Sequence, residues 1–134
     1  MMAALFADTF YFIALLDSSD ASHPQSVAWA RQKGASFLTT EYVLVELGDA
    51  FHAPGQREEF AVFNDAVRAD AKFRVLAASP AWYSAGLNLY RRRRDKYWQL
   101  TDCISFAVMK EQRLREALTG DVHFEQAGFT ALLR

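Results

Sequence analysis

Short apolar runs separated by longer helical segments constrain this chain most. Ala3–Ala7, Ser36–Thr40, Phe73–Ala77 and Glu116–Thr119 are too short to be stable helices, and a further apolar run follows at Phe129–Leu133. The first is apolar throughout, as expected of a strand buried on both faces. Helical segments fall between them. Phe10–Leu16 follows Asp8 or Thr9 as a cap, and Ser22 caps a helix to Lys33 with Gly34 as its stop. Glu41–Ala53 is amphipathic, with Val43, Leu44, Leu47, Ala50 and Phe51 on one face. Gln56–Asp70 turns Phe60, Phe63, Ala66 and Val67 inward. Pro80 opens a helix through Tyr90 into Arg91–Lys96, and Thr101–Gln112 is helical again. Parallel strands cannot be joined by a tight turn and need such crossovers. The pattern therefore predicts an α/β chain with a central, mostly parallel sheet and βαβ connections.

With 134 residues and no linker, repeat or low-complexity tract, residues 1–134 read as a single domain. A net charge of −1 excludes a globally basic nucleic-acid binder but permits a local basic patch. The single cysteine, Cys103, excludes an internal disulfide and gives no thiolate metal site. No apolar run approaches the ~18 residues of a membrane span. The opening lacks a basic n-region and carries Asp8 inside its apolar run, which argues against a secretory signal. The expectation is a cytoplasmic protein without a membrane partner.

Four carboxylates stand in apolar surroundings. Asp8 closes the first strand and precedes an apolar helix. Asp102 opens Cys103–Met109, which is apolar around nearly its whole circumference. Glu46 lies at the edge of its helix's apolar face, and Asp121 follows the strand Glu116–Thr119 through Gly120. Each has an ordinary explanation taken singly: a helix cap, a cap just inside Thr101, a solvated flank, a turn. In a parallel sheet, however, Asp8 and Asp121 share the carboxyl edge, where open α/β sheets place ligand chemistry, and Asp102 enters from that edge. Clustered carboxylates repel, so one or more would hold a proton at neutral pH unless a cation sat between them. An oxygen-only ligand set favours a hard ion, Mg²⁺ or Mn²⁺, and such ions serve phosphoryl transfer. The residue two beyond Asp8 is Phe10, so the Asp-x-Asp signature of aspartyl-phosphate phosphatases is absent.

Arg91–Arg94 with Lys96 forms a basic run followed by Tyr97 and Trp98. Such a run is either a solvated helix end or a phosphate-binding patch beside the acidic edge. The aromatics either pack a core or stack on unpaired bases. Successive arginines cannot share one helical face, so only some of the run would reach a single strand. His123, close to Asp121, is placed either in a structural role or as an orienter of a ligand or phosphate.

Four ordered pieces, spread over essentially the whole chain, resemble the PIN-domain ribonucleases, in particular VapC-like toxins of toxin–antitoxin pairs. They are Phe6-Ala7-Asp8-Thr9, Leu38 to Leu47, Leu100 to Phe106, and Ala117 to Phe124 with Gln126 to Phe129 behind it. The resemblance implies a three-layer α/β/α domain. It also implies an acidic pocket in which Asp8, Glu46, Asp102 and Asp121 hold one or two divalent ions, and cleavage of RNA. A cognate antitoxin and a homodimer are the implied partners. Thr9, Thr101 and Thr119 are expected to support the carboxylates by hydrogen bonds, and Arg91, Arg92, Arg94 and Lys96 to contact RNA. Phe10 departs from the small or hydroxyl residue many relatives carry, which bears on the pocket floor. A binding module without chemistry and another metal-dependent phosphohydrolase are the alternatives.

Overall fold

The computed structural model describes residues 3–134. Five strands, β1 (Leu5–Ala7), β2 (Phe37–Thr40), β3 (Phe73–Leu76), β4 (Glu116–Leu118) and β5 (Thr130–Ala131), form one sheet in the order β3-β2-β1-β4-β5. Every pairing is parallel, with Phe6 opposite both Leu38 and Ala117, so β1 is central and fully buried. The helices are α1 (Thr9–Leu16), α2 (His23–Ala30), α3 (Glu41–Ala50), α4 (Arg57–Ala69), α5 (Pro80–Arg92), α6 (Leu100–Glu111) and α7 (Val122–Gln126). The α/β reading of the sequence holds, and the architecture is the three-layer one. No helix among the described residues is long and apolar enough to cross a membrane.

Two aromatic clusters mark the core. Phe12 packs on Phe63 and Phe73, with Tyr11 on Phe37, which ties α1 to α4 and the sheet. Phe106 meets Trp98 and Phe124 edge-on at 5.0 and 4.9 Å, and Phe6 of the central strand packs on Phe124. Gly86 sets the spacing of α5 on α6, because a Cβ there would stand 2.2 Å from the Ile104 side chain. Ala50 and Ala66, placed inward by their helical periods, are exposed. Helix α2 ends at Ala30, so Gly34, at φ +77°, belongs to the loop beyond and is not its stop.

Two boundaries change the reading of the carboxylates. The N-cap of α6 is Gln99, not Thr101; the Gln99 backbone N–H donates to Asp102 Oδ2 at 3.0 Å, which puts Asp102 in the third helical position. The residues after Asp121 form a helix, α7, that the sequence pattern does not announce. Asp121 is its N-cap and accepts from the His123 backbone N–H at 2.9 Å.

Candidate metal centre

Because all strand pairings are parallel, every strand's carboxyl end lies on one edge of the sheet, and local sequence sends carboxylates there. Asp8 is the first residue after β1. Helix α3 follows β2 without a loop, its start fixed by the Thr40 hydroxyl accepting from the Val43 N–H at 3.2 Å, and it carries Glu46. Asp121 lies just beyond β4, and α6 presents Asp102 in its first turn.

Threonine hydroxyls brace one side of the group. Thr119 Oγ1 donates to Asp8 Oδ2 at 2.8 Å and accepts from the Asp121 N–H at 3.1 Å, so one hydroxyl links two of the carboxylate positions. The Thr9 hydroxyl donates to Glu46 Oε1. Thr39, buried in the neighbouring strand, donates to the Ala7 carbonyl at 2.8 Å, next to Asp8. Thr101 differs from the other two expected supports: among the described residues it makes no hydrogen bond to any of the four carboxylates.

On the other side Asp102, Asp121 and His123 each present one ligand atom within 4.8 Å of the other two. His123 Nδ1 stands 3.4 Å from Asp102 Oδ2 and 3.4 Å from Asp121 Oδ1. It is buried yet makes no hydrogen bond among the described residues, lying near both carboxylates without the alignment to donate to either. The sequence left His123 open; the signal was its place two residues after Asp121, where a helical cap folds its ring back over the capping carboxylate.

Burial dominates the electrostatics of these carboxylates. Burial, only partly offset by the Thr119 hydroxyl and the Thr9 N–H, pushes the Asp8 carboxyl up to about 7, and the charges of Asp102 and Glu46 push it the same way. Burial also raises Asp102 against the pull of the Gln99 N–H, with Asp121 and Glu46 adding repulsion and His123 favouring the ionised form. Asp8 thus feels Asp102 and Glu46, and Asp102 feels Asp121 and Glu46, while among the described residues Asp102, Asp121 and His123 are the group whose ligand atoms lie within 4.8 Å of one another. Asp102 and Asp121, beside a His123 Nδ1 that makes no hydrogen bond among the described residues, fit a divalent cation with oxygen and imidazole ligands.

Phe10 lies beneath this edge. Its ring packs on Gly120, where a Cβ would come within 2.4 Å, so the aromatic residue after Thr9 is accommodated by the glycine before Asp121.

No family model matches the chain, and no curated protein matches it. Solved structures do. VapC20 from Mycobacterium tuberculosis, a sarcin–ricin loop cleaving toxin, superimposes with a TM-score of 0.83 at 25% identity over 96% of this chain and 97% of that one. The chain has the PIN-like fold of the VapC toxins. VapBC2 from Rickettsia felis, solved with a DNA fragment from its promoter, matches this PIN-like chain with a TM-score of 0.69 at 11% identity over 96% and 97% of the two chains. FitAcB from Neisseria gonorrhoeae matches with 0.62 at 18% over 95% and 94%.

The expected RNA contacts separate in space. Arg94 and Lys96 line a cleft with Tyr90, Arg93, Tyr97, Trp98 and Cys103. Arg92 lines a different hollow between α5 and α6, and Arg91 is exposed on α5 and lines neither. Trp98 is buried against Phe106 while Tyr97 is 92% exposed, so the two neighbouring aromatics divide between core and surface.

Proposed function

We propose that this protein is a divalent-metal-dependent endoribonuclease that hydrolyses RNA phosphodiesters, acting as the toxin of a toxin–antitoxin pair. What carries the reading is the group of Asp102, Asp121 and His123 ligand atoms within 4.8 Å of one another, beside the strand end where burial pushes Asp8 up to about 7 and the charges of Asp102 and Glu46 act on it. The similarity to a toxin that cleaves the sarcin–ricin loop supports RNA as the substrate. The VapBC2 and FitAcB likenesses support a cognate antitoxin as partner. A homodimer is part of the same proposal.

In this reading Asp8, Glu46, Asp102 and Asp121 hold Mg²⁺ or Mn²⁺, joined by His123 Nδ1. The bound ion would supply an activated water at neutral pH and charge stabilisation for an in-line displacement. The chain's own residues do the rest. Thr119 fixes the Asp8 carboxylate and Thr9 fixes that of Glu46, which keeps ligand oxygens from swinging away when substrate enters. The Gln99 N–H holds Asp102 Oδ2 in the first turn of α6. With its carboxyl pushed up to about 7 by burial, Asp8 would have to release its proton to serve as a ligand at neutral pH.

The test uses protein freed of any co-purifying partner, a sarcin–ricin loop oligonucleotide and a panel of cellular RNAs. Cleavage with Mg²⁺ or Mn²⁺, its loss in EDTA and in Asp102→Asn, and a rise in melting temperature with metal are the expected results. Metal-independent cleavage, or full activity in Asp102→Asn, would refute the mechanism. Absence of cleavage with intact RNA binding would favour a binding module.

A further inference from the structure

We propose that the cleft between the end of α5 and the start of α6 is a subsite for one unstacked nucleotide of the RNA strand, next to the bond that is cut. Its phosphate lies on Arg94 and Lys96 and its base against Tyr97. This rests on the nuclease reading above and assigns the part of the substrate that reading leaves open.

The cleft measures about 380 Å³, within the range that takes a small organic group. Its position comes from a tight turn: the Lys96 N–H donates to the Arg93 carbonyl at 3.1 Å, which turns the basic run back on itself after α5. The turn sorts the cations. Arg93 is spent, its guanidinium bonded to both oxygens of Asp95 at 3.1 Å and lying over the Trp98 ring at 5.1 Å. Arg94 has no carboxylate partner among the described residues, and Lys96 has only a loose approach of 3.9 Å to the same Asp95. With Asp95 neutralised by Arg93, the cleft keeps two cations available to an anion.

The aromatic residue supplies the second half. Tyr97 is 92% exposed, whereas Trp98 beside it is 6% exposed, with its Nε1 donating to Gln126 Oε1 at 3.0 Å. An aromatic ring held almost wholly in water, on the rim of a cationic cleft, has the form of a stacking platform; a phosphate-only site would not need it. Trp98 forms a rigid wall and Cys103, buried, the floor. Cys103 directly follows Asp102, so the cleft and the acidic edge share the first turn of α6. A strand whose scissile phosphate lies at Asp102 would continue past the first turn of α6 toward the cleft that Cys103 lines with Arg94 and Lys96. Duplex RNA keeps its bases stacked and paired and cannot offer one to Tyr97.

The experiment measures binding by metal-free protein, where no cleavage occurs, and cleavage with metal, using one fluorescent single-stranded RNA and its duplex. Tyr97→Ala should weaken single-strand binding about 5- to 100-fold, while Tyr97→Phe keeps it within about twofold. Arg94→Ala and Lys96→Ala should each reduce the slope of log affinity against log salt by about 0.7. In cleavage, KM should rise with kcat held, and Tyr97→Ala should change the base preferred beside the cut. These side chains are on the surface, and unchanged melting temperatures confirm that the fold is kept. Unchanged RNA affinity and unchanged cut-site preference in Tyr97→Ala and in the Arg94→Ala/Lys96→Ala double variant would overturn the subsite while leaving the nuclease standing. A wild type that cleaves nothing, with binding still lost in the variants, would refute the nuclease and keep the subsite. Loss of affinity for a poly-glutamate peptide with RNA affinity intact would make the cleft an acidic-peptide site and overturn the proposal.

Discussion

The acidic edge has two unlike halves. Asp8 and Glu46 each accept a hydrogen bond from a threonine hydroxyl and are held before any ligand arrives. Asp102, Asp121 and His123 crowd three ligand atoms within 4.8 Å, and the imidazole nitrogen between them has no partner. In the first half both carboxylates are hydrogen-bonded and burial raises the proton affinity of Asp8; the second is arranged but unsatisfied. A site that must capture a cation benefits from both. Braced ligands define where the ion sits, and unsatisfied ones provide the free energy to hold it.

That division can be broken most severely at Asp102. Asp102→Asn should lower metal-dependent cleavage by more than about 100-fold, beyond the usual effect of losing an outer-shell partner, and calorimetry should show metal binding abolished. Asp8→Asn should also abolish cleavage, yet it should stabilise the metal-free protein at high pH. The folded-state pKa of Asp8 is raised above that of the unfolded chain, so its stabilising contribution is complete below about pH 4 and is lost as pH rises through about 7. Wild type in EDTA should therefore lose stability between about pH 4 and 7, on the order of a few kcal/mol, and Asp8→Asn should flatten that dependence. Denaturant titrations at the two pH values check it, and an unchanged slope in Asp8→Asn would show that Asp8 is not the group responsible.

Thr119→Val tests the bracing itself. It removes the donor to Asp8 and the acceptor for the Asp121 N–H together, and should cost about 1–3 kcal/mol of stability and roughly 10- to 100-fold in metal affinity. Thr101→Val is its control, since Thr101 makes no hydrogen bond to the carboxylates among the described residues, and should leave metal affinity nearly unchanged. The mildest expected loss is in Asp121→Asn. Asn still caps α7, and His123 and Asp102 still face the ion, so residual cleavage should exceed that of Asp102→Asn when both are assayed together.

Strands and long helices were legible because their signals are local: four short apolar runs, the helical periods of α3 and α4, Pro80 at the start of α5. The four carboxylates were legible as a group once the strands were taken as parallel, since that alone puts Asp8 and Asp121 on one edge. What escaped depends on contacts that no local pattern carries. Gln99 starts α6 through its backbone N–H, which Asp102 satisfies, so a side-chain capping rule pointed to Thr101 instead. Helix α7 has five residues, barely more than one turn, too few to show a period. The convergence of His123 on Asp102 needs α6 and α7 packed through Phe106 and Phe124. The basic run read as one feature, but a single turn divides it among an ion pair, two clefts and open solvent.

The bond from Thr119 to Asp8 joins residues 111 positions apart in the chain. It therefore sets a timetable for synthesis. While the ribosome is still adding α5 and α6, Asp8 lies at the end of a strand with nothing beside it where β4 will insert. The hydroxyl that will hold its carboxylate has not yet been translated, nor has the carboxylate of Asp121. A nascent chain that ends within α6 has the site's beginning without its end. The centre closes only when β4 slides in beside β1, so Asp8 and Asp121 share an edge only once β4 has been made.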